Sequence, residues 1–246
     1  MCATQIQKER ELAKNYELPT MGDSYLVELT QENVARVEAM IRTDSNYRIS
    51  LGDDYNSDKY SPYWIKQLGN YLKGEHTSHT IEYIVDQVVK FLDNENSTHL
   101  NTDGVGRKEM AKRIIDYINQ DKLYEYLKNR NFELIEKLAE KTIPNPGKHG
   151  RENISFASKF CHYACFYIFD GEDAQDNFSI YDGVVANALP KYLDYYEINH
   201  VDRKKIRDKN YSEYSKAIDA VIERSGSKIS RNGFDHLVWY YFKGER

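Results

Sequence analysis

Apolar residues recur every three to four positions along most of the chain, and no stretch alternates apolar and polar residues with a period of two. The first pattern is typical of amphipathic helices and the second of half-buried strands. One apolar stripe follows Thr80, a good N-cap residue, and consists of Ile81, Ile84, Val85, Val88 and Phe91. The pattern predicts an all-α protein of about nine or ten helices without a repeat of fixed period.

The predicted helices are separated by polar loops and by one segment rich in proline and glycine. The helices are expected at residues 30–42, 63–73, 80–92, 107–119, 121–128, 132–141, 154–169, 182–196, 211–224 and 233–243. Residues 143–153 contain two prolines and two glycines and therefore predict a break. Residues 199–210 are predicted to be a charged connector, and Pro190 is predicted to kink or break its helix.

Composition excludes several classes of protein. The chain has 246 residues, of which 13% are aromatic, so it can bury a large core and is not expected to be disordered. Mean hydropathy is −0.76, and no apolar run approaches the roughly 20 residues that a membrane span needs. The charged N-terminal segment lacks the apolar stretch of a signal peptide, and the number of cysteines is odd. We therefore expect a cytoplasmic monomer without a membrane partner.

Two of the three cysteines, Cys161 and Cys165, lie four residues apart. This spacing allows both thiols to share one face of a helix and to bind a metal ion. The alternative is that both are small residues of the hydrophobic core, and this interpretation is favoured because free cysteine is usually buried. No metal site is therefore predicted.

Charge is distributed unevenly along the chain, whose net charge is −5. Residues 1–100 carry a balance of −6, whereas residues 101–246 carry +1. This change predicts an acidic N-terminal helical part and a second helical part that contains the chemistry. Between residues 141 and 159, four basic residues face a single acid, Glu152. Screening limits the reach of distant charges to about 10 Å, so a local basic patch can bind phosphate on an acidic protein.

One lysine interrupts the apolar helix predicted at residues 154–169. On a helical wheel, Lys159 lies on the same side as four aromatic residues, Phe156, His162, Tyr163 and Phe166. Desolvation among such rings disfavours the charged amine, and a neutral amine is a nucleophile that can form a Schiff base. The alternative is a structural lysine whose stem packs along the rings while the amine reaches water.

The order of segments around Lys159 resembles a known family. A basic break precedes the helix ASKFCHYACF, and the segment FSIYDGVV follows with Asp182 placed 23 residues after Lys159. These segments are similar to those of the helix-hairpin-helix superfamily of DNA glycosylases, the branch that includes 8-oxoguanine DNA glycosylase. The resemblance covers about residues 143–189. It implies a glycosylase-like all-α fold without a β-domain, a hairpin at 143–158, a catalytic segment at 154–189 and a cleft between the two parts.

The resemblance also implies roles for individual residues. Lys159 would be the nucleophile that displaces the base, and Asp182 the catalytic carboxylate, although Asp182 is also a good N-cap for the helix that follows. The hairpin region would contact the DNA backbone through Gly147, Lys148, His149, Gly150 and Arg151. Such a hairpin can hold a structural cation, and no other cofactor is implied.

The base removed by a glycosylase must leave the DNA stack and enter a pocket with aromatic walls. The candidates for such a pocket are Phe156, His162, Tyr163, His236 and Trp239. The alternative is that these aromatic residues belong to the core.

The sequence thus leads to the expectation of a DNA base-excision glycosylase with abasic-site lyase activity. Two alternatives stay open. One is a non-enzymatic helical module that binds nucleic acid or protein, which the sequence pI of about 5.9 favours. The other is a relative that acts on nucleosides or nucleotides.

Overall fold

The computed structural model describes residues 21, 25–43, 57–96, 98, 100, 106–140 and 153–243. Within these ranges the chain forms eleven α-helices and one short 3-10 helix, and no β-strand occurs there. The prediction of an all-α protein is confirmed. No helix in the described ranges is both long enough and apolar enough to cross a membrane.

The helices are numbered here in chain order. They are α1 (Gln31–Thr43), α2 (Ser61–Leu72), α3 (Ile81–Asn96), α4 (Arg107–Asn119), α5 (Leu123–Lys128), α6 (Glu133–Ala139), α7 (Ile154–Ile168), α8 (Gly183–Tyr195), α9 (Arg203–Arg207), α10 (Tyr211–Ser225) and α11 (Arg231–Lys243). The 3-10 helix is Asp173–Asp176 and lies between α7 and α8.

The chain forms two compact units. Unit 1 consists of residues 1–51 and 181–246, and unit 2 consists of residues 52–180. The predicted boundary at residue 100, which was drawn from the change in charge, falls within unit 2.

Unit 2 is built around α7, which packs against α2, α3, α5, α6 and the 3-10 helix. Twelve of its fifteen residues are buried. This burial follows from the sequence, because a helix that is apolar on all sides is stable only when neighbouring helices surround it. At the contact between α2 and α7, a side chain at Gly69 would lie 3.0 Å from Cγ1 of Ile168, so glycine allows the two helices to approach closely there.

Unit 1 contains α1 and the four helices from α8 to α11. Helix α11 packs against α1, α8 and α10, and α8 also contacts α9 and α10. Tyr192 of α8 is fully buried, and its hydroxyl donates a hydrogen bond to the carbonyl of Val27 at 3.1 Å. This bond satisfies a polar group that burial would otherwise leave unpaired.

The predicted helices agree with the structure within a few residues at their ends, with two differences. The predicted connector at 199–210 contains the short helix α9, which Asp202 caps by accepting hydrogen bonds from the N–H groups of Lys204 and Lys205. Helix α8 continues through Pro190 instead of ending there. Packing against α11 and α10 gives a physical reason, since tertiary contacts can outweigh the hydrogen bond that proline removes.

Candidate functional site

Lys159 lies in the first half of α7 and is half-buried. It is the only Lys, Arg, Asp or Glu of that helix. Its side chain points away from the small residues Ala157, Cys161 and Ala164, which are fully buried against neighbouring helices. The lysine is therefore the single charged group on an otherwise buried helix of unit 2.

The Lys159 amine reaches the C-terminal end of α3. Its Nζ donates a hydrogen bond to the main-chain carbonyl of Asn96, the last residue of α3, at 3.3 Å. The last four carbonyls of a helix have no partner within the helix, and the negative end of the helix dipole favours a cation there. The contact fixes where the amine lies and also stabilises the end of α3.

A buried carboxylate organises the segment that follows this helix end. Asp93 Oδ1 accepts hydrogen bonds from the Thr98 hydroxyl at 2.6 Å and from the Leu100 N–H at 3.0 Å. Its Oδ2 accepts from Arg107 Nε at 2.8 Å. Burial by itself raises the pKa of Asp93, but these hydrogen bonds and the charge of Arg107 outweigh it, so the pKa is lowered. The ion pair therefore joins α3 to α4.

The pKa of a second carboxylate of the same helix, Glu95, is shifted in the opposite direction. Its Oε1 accepts a hydrogen bond from the Ser61 N–H at the start of α2, at 2.9 Å. Burial raises the pKa of Glu95 to about 7, and the hydrogen bonds from Ser61 only partly oppose this effect. Glu95 therefore changes its charge near neutral pH.

The three predicted pocket residues of α7 are buried within unit 2. Phe156 and His162 are each 1% exposed, and Tyr163 is 5% exposed. His162 Nδ1 lies 2.8 Å from the carbonyl of Phe178 and must therefore carry the proton in that hydrogen bond. The His162 ring also stacks on Phe166 at 6.2 Å between ring centroids. The packing thus holds these three side chains within the core of unit 2.

Asp182 is the N-cap of α8 in unit 1. Its Oδ1 accepts a hydrogen bond from the Val184 N–H at 2.7 Å, and the residue is half-buried. Its backbone is also hydrogen-bonded to the phenol of the fully buried Tyr214. The capping role considered from the sequence is therefore present in the structure. Lys159 belongs to unit 2 and Asp182 to unit 1.

The other two predicted pocket residues lie on α11 in unit 1. His236 is 5% exposed, and its Nδ1 lies 3.4 Å from Glu38 Oε1. Trp239 is half-buried, and the Lys243 amine lies 4.0 Å from its ring centroid. Both residues therefore contact charged side chains of their own unit.

The remaining residues from the sequence analysis are those of the predicted hairpin and the two cysteines that were considered as metal ligands. The predicted DNA-backbone residues 147–151 lie outside the described residues. Cys161 and Cys165 are buried free thiols, and burial raises the pKa of both. In the described parts of the chain, no three His, Cys, Asp or Glu side chains are grouped closely enough to hold a metal ion.

A groove of about 410 Å³ lies in unit 2 between α2 and the end of α7. The side chains that line it carry positive charge, amide groups and aromatic rings, and include Tyr63, Lys66, Gln67, Asn70, Lys73 and Tyr167. Sequence reasoning missed this groove and also missed Glu95. The spacing of Lys66 and Lys73, seven residues apart on a predicted helix, was the available signal for the groove.

Comparison with known proteins gives one partial match. No curated protein matches the chain. No solved structure matches it either. A family model described as an N-terminal domain matches residues 54–166, which is less than half of the chain and includes Lys159 but not Asp182.

Proposed function

We propose that the protein is a DNA base-excision glycosylase with abasic-site lyase activity, in which Lys159 is the nucleophile and Asp182 the catalytic carboxylate. The observation that carries this proposal is the position of Lys159. A helix with twelve buried residues of fifteen presents one charged side chain, and a hydrogen bond to Asn96 fixes its amine. A nucleophile needs this combination of partial desolvation and defined position.

The proposed reaction begins with attack of the neutral Lys159 amine on C1′ of the damaged nucleoside. The bond from C1′ to the base breaks, and the base leaves with the electron pair and takes up a proton. The nitrogen loses a proton, the bond from C1′ to the ring oxygen breaks, and that oxygen takes up a proton. The opened sugar is then joined to Lys159 by a protonated imine at C1′. Loss of a proton from C2′ then expels the 3′ phosphate and cleaves the strand.

Asp182 has two roles in this proposal. As N-cap, its carboxylate is held by the Val184 N–H at 2.7 Å, which fixes its orientation at the start of α8. As the catalytic carboxylate, it stabilises the positive charge that develops on the sugar and assists proton transfer. The two roles are compatible because a carboxylate has more lone pairs than one capping bond uses.

The experiment is a single-turnover assay on duplex DNA that contains 8-oxoguanine or an abasic site. The variants are Lys159→Gln and Asp182→Asn. Lys216→Gln is a matched control, because the Lys216 amine also donates to a main-chain carbonyl, that of His200, at 3.3 Å. The proposal expects base release and strand cleavage by the unmodified protein and the control, and loss of at least 100-fold in both test variants, on the order of the contribution of acid–base catalysis. Wild-type rates in both test variants contradict it.

One observation favours a second candidate, a non-enzymatic helical module that binds nucleic acid or protein. The C-terminal end of α3 favours the charged form of the Lys159 amine. A charged amine is a helix-capping group and not a nucleophile. In that case the same substitutions change stability or binding, and no variant affects base release because the unmodified protein releases none.

A further inference from the structure

The start of α2 is joined to the end of α3 by a contact between a backbone N–H and a carboxyl. Glu95 Oε1 accepts a hydrogen bond from the Ser61 N–H at 2.9 Å. The first N–H groups of a helix have no partner within the helix, so this carboxyl supplies one from outside. Ser61 is fully buried, whereas Asp58 and Lys59 just before it are exposed. The buried part of α2 therefore begins at the Glu95 contact.

Two oxygen atoms at this contact are buried without a hydrogen bond of normal geometry to any described residue. They are Glu95 Oε2 and the Ser61 hydroxyl oxygen, and the hydroxyl lies close enough to the carboxyl to influence its pKa. Buried polar atoms without a partner destabilise the folded state. An ionised carboxylate only accepts hydrogen bonds, whereas a protonated carboxyl also donates one. A proton on Oε2 therefore provides a donor from which the hydroxyl oxygen can accept.

The cations of the neighbouring helices are directed at other groups. Arg107 of α4 pairs with Asp93 at 2.8 Å, and the Lys159 amine of α7 donates to the Asn96 carbonyl. Glu95 itself forms no ion pair with a described residue. The dipole of α2 favours a negative charge at this position and the dipole of α3 disfavours it, so the two effects oppose each other. Burial is the largest influence, and it favours the neutral carboxyl.

We propose that Glu95 is a pH-dependent switch, which holds the first turn of α2 against α3 when the carboxyl is neutral and releases that turn when the carboxyl ionises. Release lets water reach the carboxylate and the Ser61 hydroxyl. It also frees Trp64, which is 3% exposed and whose Nε1 donates to the Asp58 carbonyl at 2.8 Å. The switch needs no chemistry at Lys159, so it does not depend on the proposed glycosylase activity.

The opening is confined to the start of α2 because the far end of this helix is anchored on α7. Gly69 packs closely against Ile168, and the Lys73 amine donates to the Ile168 carbonyl at 2.9 Å. The start of α2, by contrast, lacks hydrogen bonds within the helix. Local opening of such a helix end needs less free energy than unfolding of the whole unit.

The experiment measures hydrogen exchange of the full chain by NMR from pH 5 to pH 8, with each rate corrected for the intrinsic pH dependence of exchange. The Ser61 N–H and the Trp64 indole N–H report release of the first turn. The N–H of Cys161, which is fully buried on α7, reports unfolding of the whole unit. Glu95→Gln is the test variant, because its amide accepts and donates as the neutral carboxyl does. Glu82→Gln is the matched control, since Glu82 is exposed in the first turn of the same helix.

The proposal predicts that the opening equilibrium at Ser61 rises on the order of 50-fold from pH 5 to pH 8, since a carboxyl whose pKa falls from about 7 to 4.5 on opening releases a proton. Glu82→Gln should show the same rise, and Glu95→Gln should show none. The Cys161 amide should change much less than the Ser61 amide. A constant opening equilibrium in the unmodified protein overturns the proposal, and so does a rise that persists in Glu95→Gln. Equal rises at Ser61 and Cys161 also overturn it, because the whole unit then unfolds.

Discussion

The Lys159 amine of α7 donates a hydrogen bond to the carbonyl of Asn96, the last residue of α3, at 3.3 Å. This contact gives the lysine a structural role whether or not it has a chemical one. The two roles can be separated by substitutions that keep or remove the hydrogen-bond donor, since neither Gln nor Met carries a nucleophilic amine.

Substitution of Lys159 by Gln and by Met should therefore affect stability differently. Gln can still donate to the Asn96 carbonyl, whereas Met keeps the apolar stem and removes the donor. We expect Lys159→Met to lose about 1 kcal/mol of unfolding free energy and Lys159→Gln to lose less, because the net value of such a hydrogen bond is about that size. Urea unfolding measures the difference, and equal stabilities of the two variants show that the contact contributes little.

Asp182 should show separate effects on stability and on base release. Asn caps helices about as well as Asp, so Asp182→Asn should unfold within about 0.5 kcal/mol of the unmodified protein, whereas Asp182→Ala should lose about 1 kcal/mol. Both variants should lose base release, because neither has a carboxylate. Thermal unfolding and single-turnover kinetics on the same preparations provide the comparison. An Asn variant that is less stable but fully active indicates a purely structural cap.

Glu95 should make stability depend on pH between its two pKa values. The Glu95 carboxyl has its ordinary pKa of 4.5 in the unfolded chain and a pKa of about 7 in the folded protein. Between these two pH values the folded state therefore retains a proton that the unfolded state releases. This contribution to stability is fully present below pH 4.5 and is lost as the pH rises through about 7. Glu95→Gln, which is neutral and still accepts from Ser61, should stabilise the protein at pH 8 by up to about 3 kcal/mol, since each pKa unit corresponds to about 1.4 kcal/mol.

The pH dependence is tested by urea unfolding at pH 4 and pH 8. At pH 4 the Glu95→Gln variant and the unmodified protein should have nearly equal stabilities. Glu223→Gln is a suitable control because Glu223 is exposed on α10, and it should change neither value by more than about 0.5 kcal/mol. A Glu95→Gln effect that is the same at both pH values contradicts the assignment of a raised pKa.

The ion pair of Asp93 and Arg107 should contribute more to stability than an exposed pair. Arg107→Met leaves the 4% exposed Asp93 side chain without its cation, and we expect a loss of about 3 kcal/mol. Arg203→Met is the control, because Arg203 and Asp194 are 2.7 Å apart but 38% and 65% exposed. The Arg203→Met variant should lose less than about 1 kcal/mol of unfolding free energy. Similar losses in both variants would mean that burial does not strengthen the Asp93 pair.

The Asp93 contribution also has a defined pH dependence. Because the folded-state pKa of Asp93 lies below its ordinary value, its stabilising effect is present above pH 3.8 and is lost as the pH falls through the folded pKa. The difference between Arg107→Met and the unmodified protein should therefore shrink on acidification below pH 4. Chemical unfolding from pH 5 to pH 2.5 measures this difference in unfolding free energy. A difference that stays constant over this range would show that ionisation of Asp93 does not contribute to stability.

The helices could be predicted from the sequence because their apolar stripes are regular, as in the stripe from Ile81 to Phe91. The short helix Arg203–Arg207 was missed, since five residues with four charges show no stripe, and only the Asp202 cap marks its start. The position of Lys159 on an apolar helix was readable from the helical wheel. Its partner was not, because the Asn96 carbonyl lies 63 residues away in sequence and only packing brings it close.

The partial burial of Glu95 and the presence of the groove could not be predicted from the sequence pattern either. A glutamate on a helix is usually exposed, and only the packing of α2 on α3 shows that Glu95 is half-buried beside Ser61. The groove is formed by residues of α2 and by the end of α7, which are about 100 residues apart in sequence. Such long-range neighbours have no signature in a single sequence.

The central claim is that Lys159 forms a Schiff base with DNA, and borohydride trapping tests it most directly. The unmodified protein is incubated with abasic-site DNA and sodium borohydride, and the adduct is digested and mapped by mass spectrometry. The account predicts a covalent adduct on the peptide that contains Lys159, present with Lys216→Gln and absent with Lys159→Gln. Absence of any adduct with the unmodified protein, or an adduct that maps to another lysine and persists in Lys159→Gln, contradicts the account.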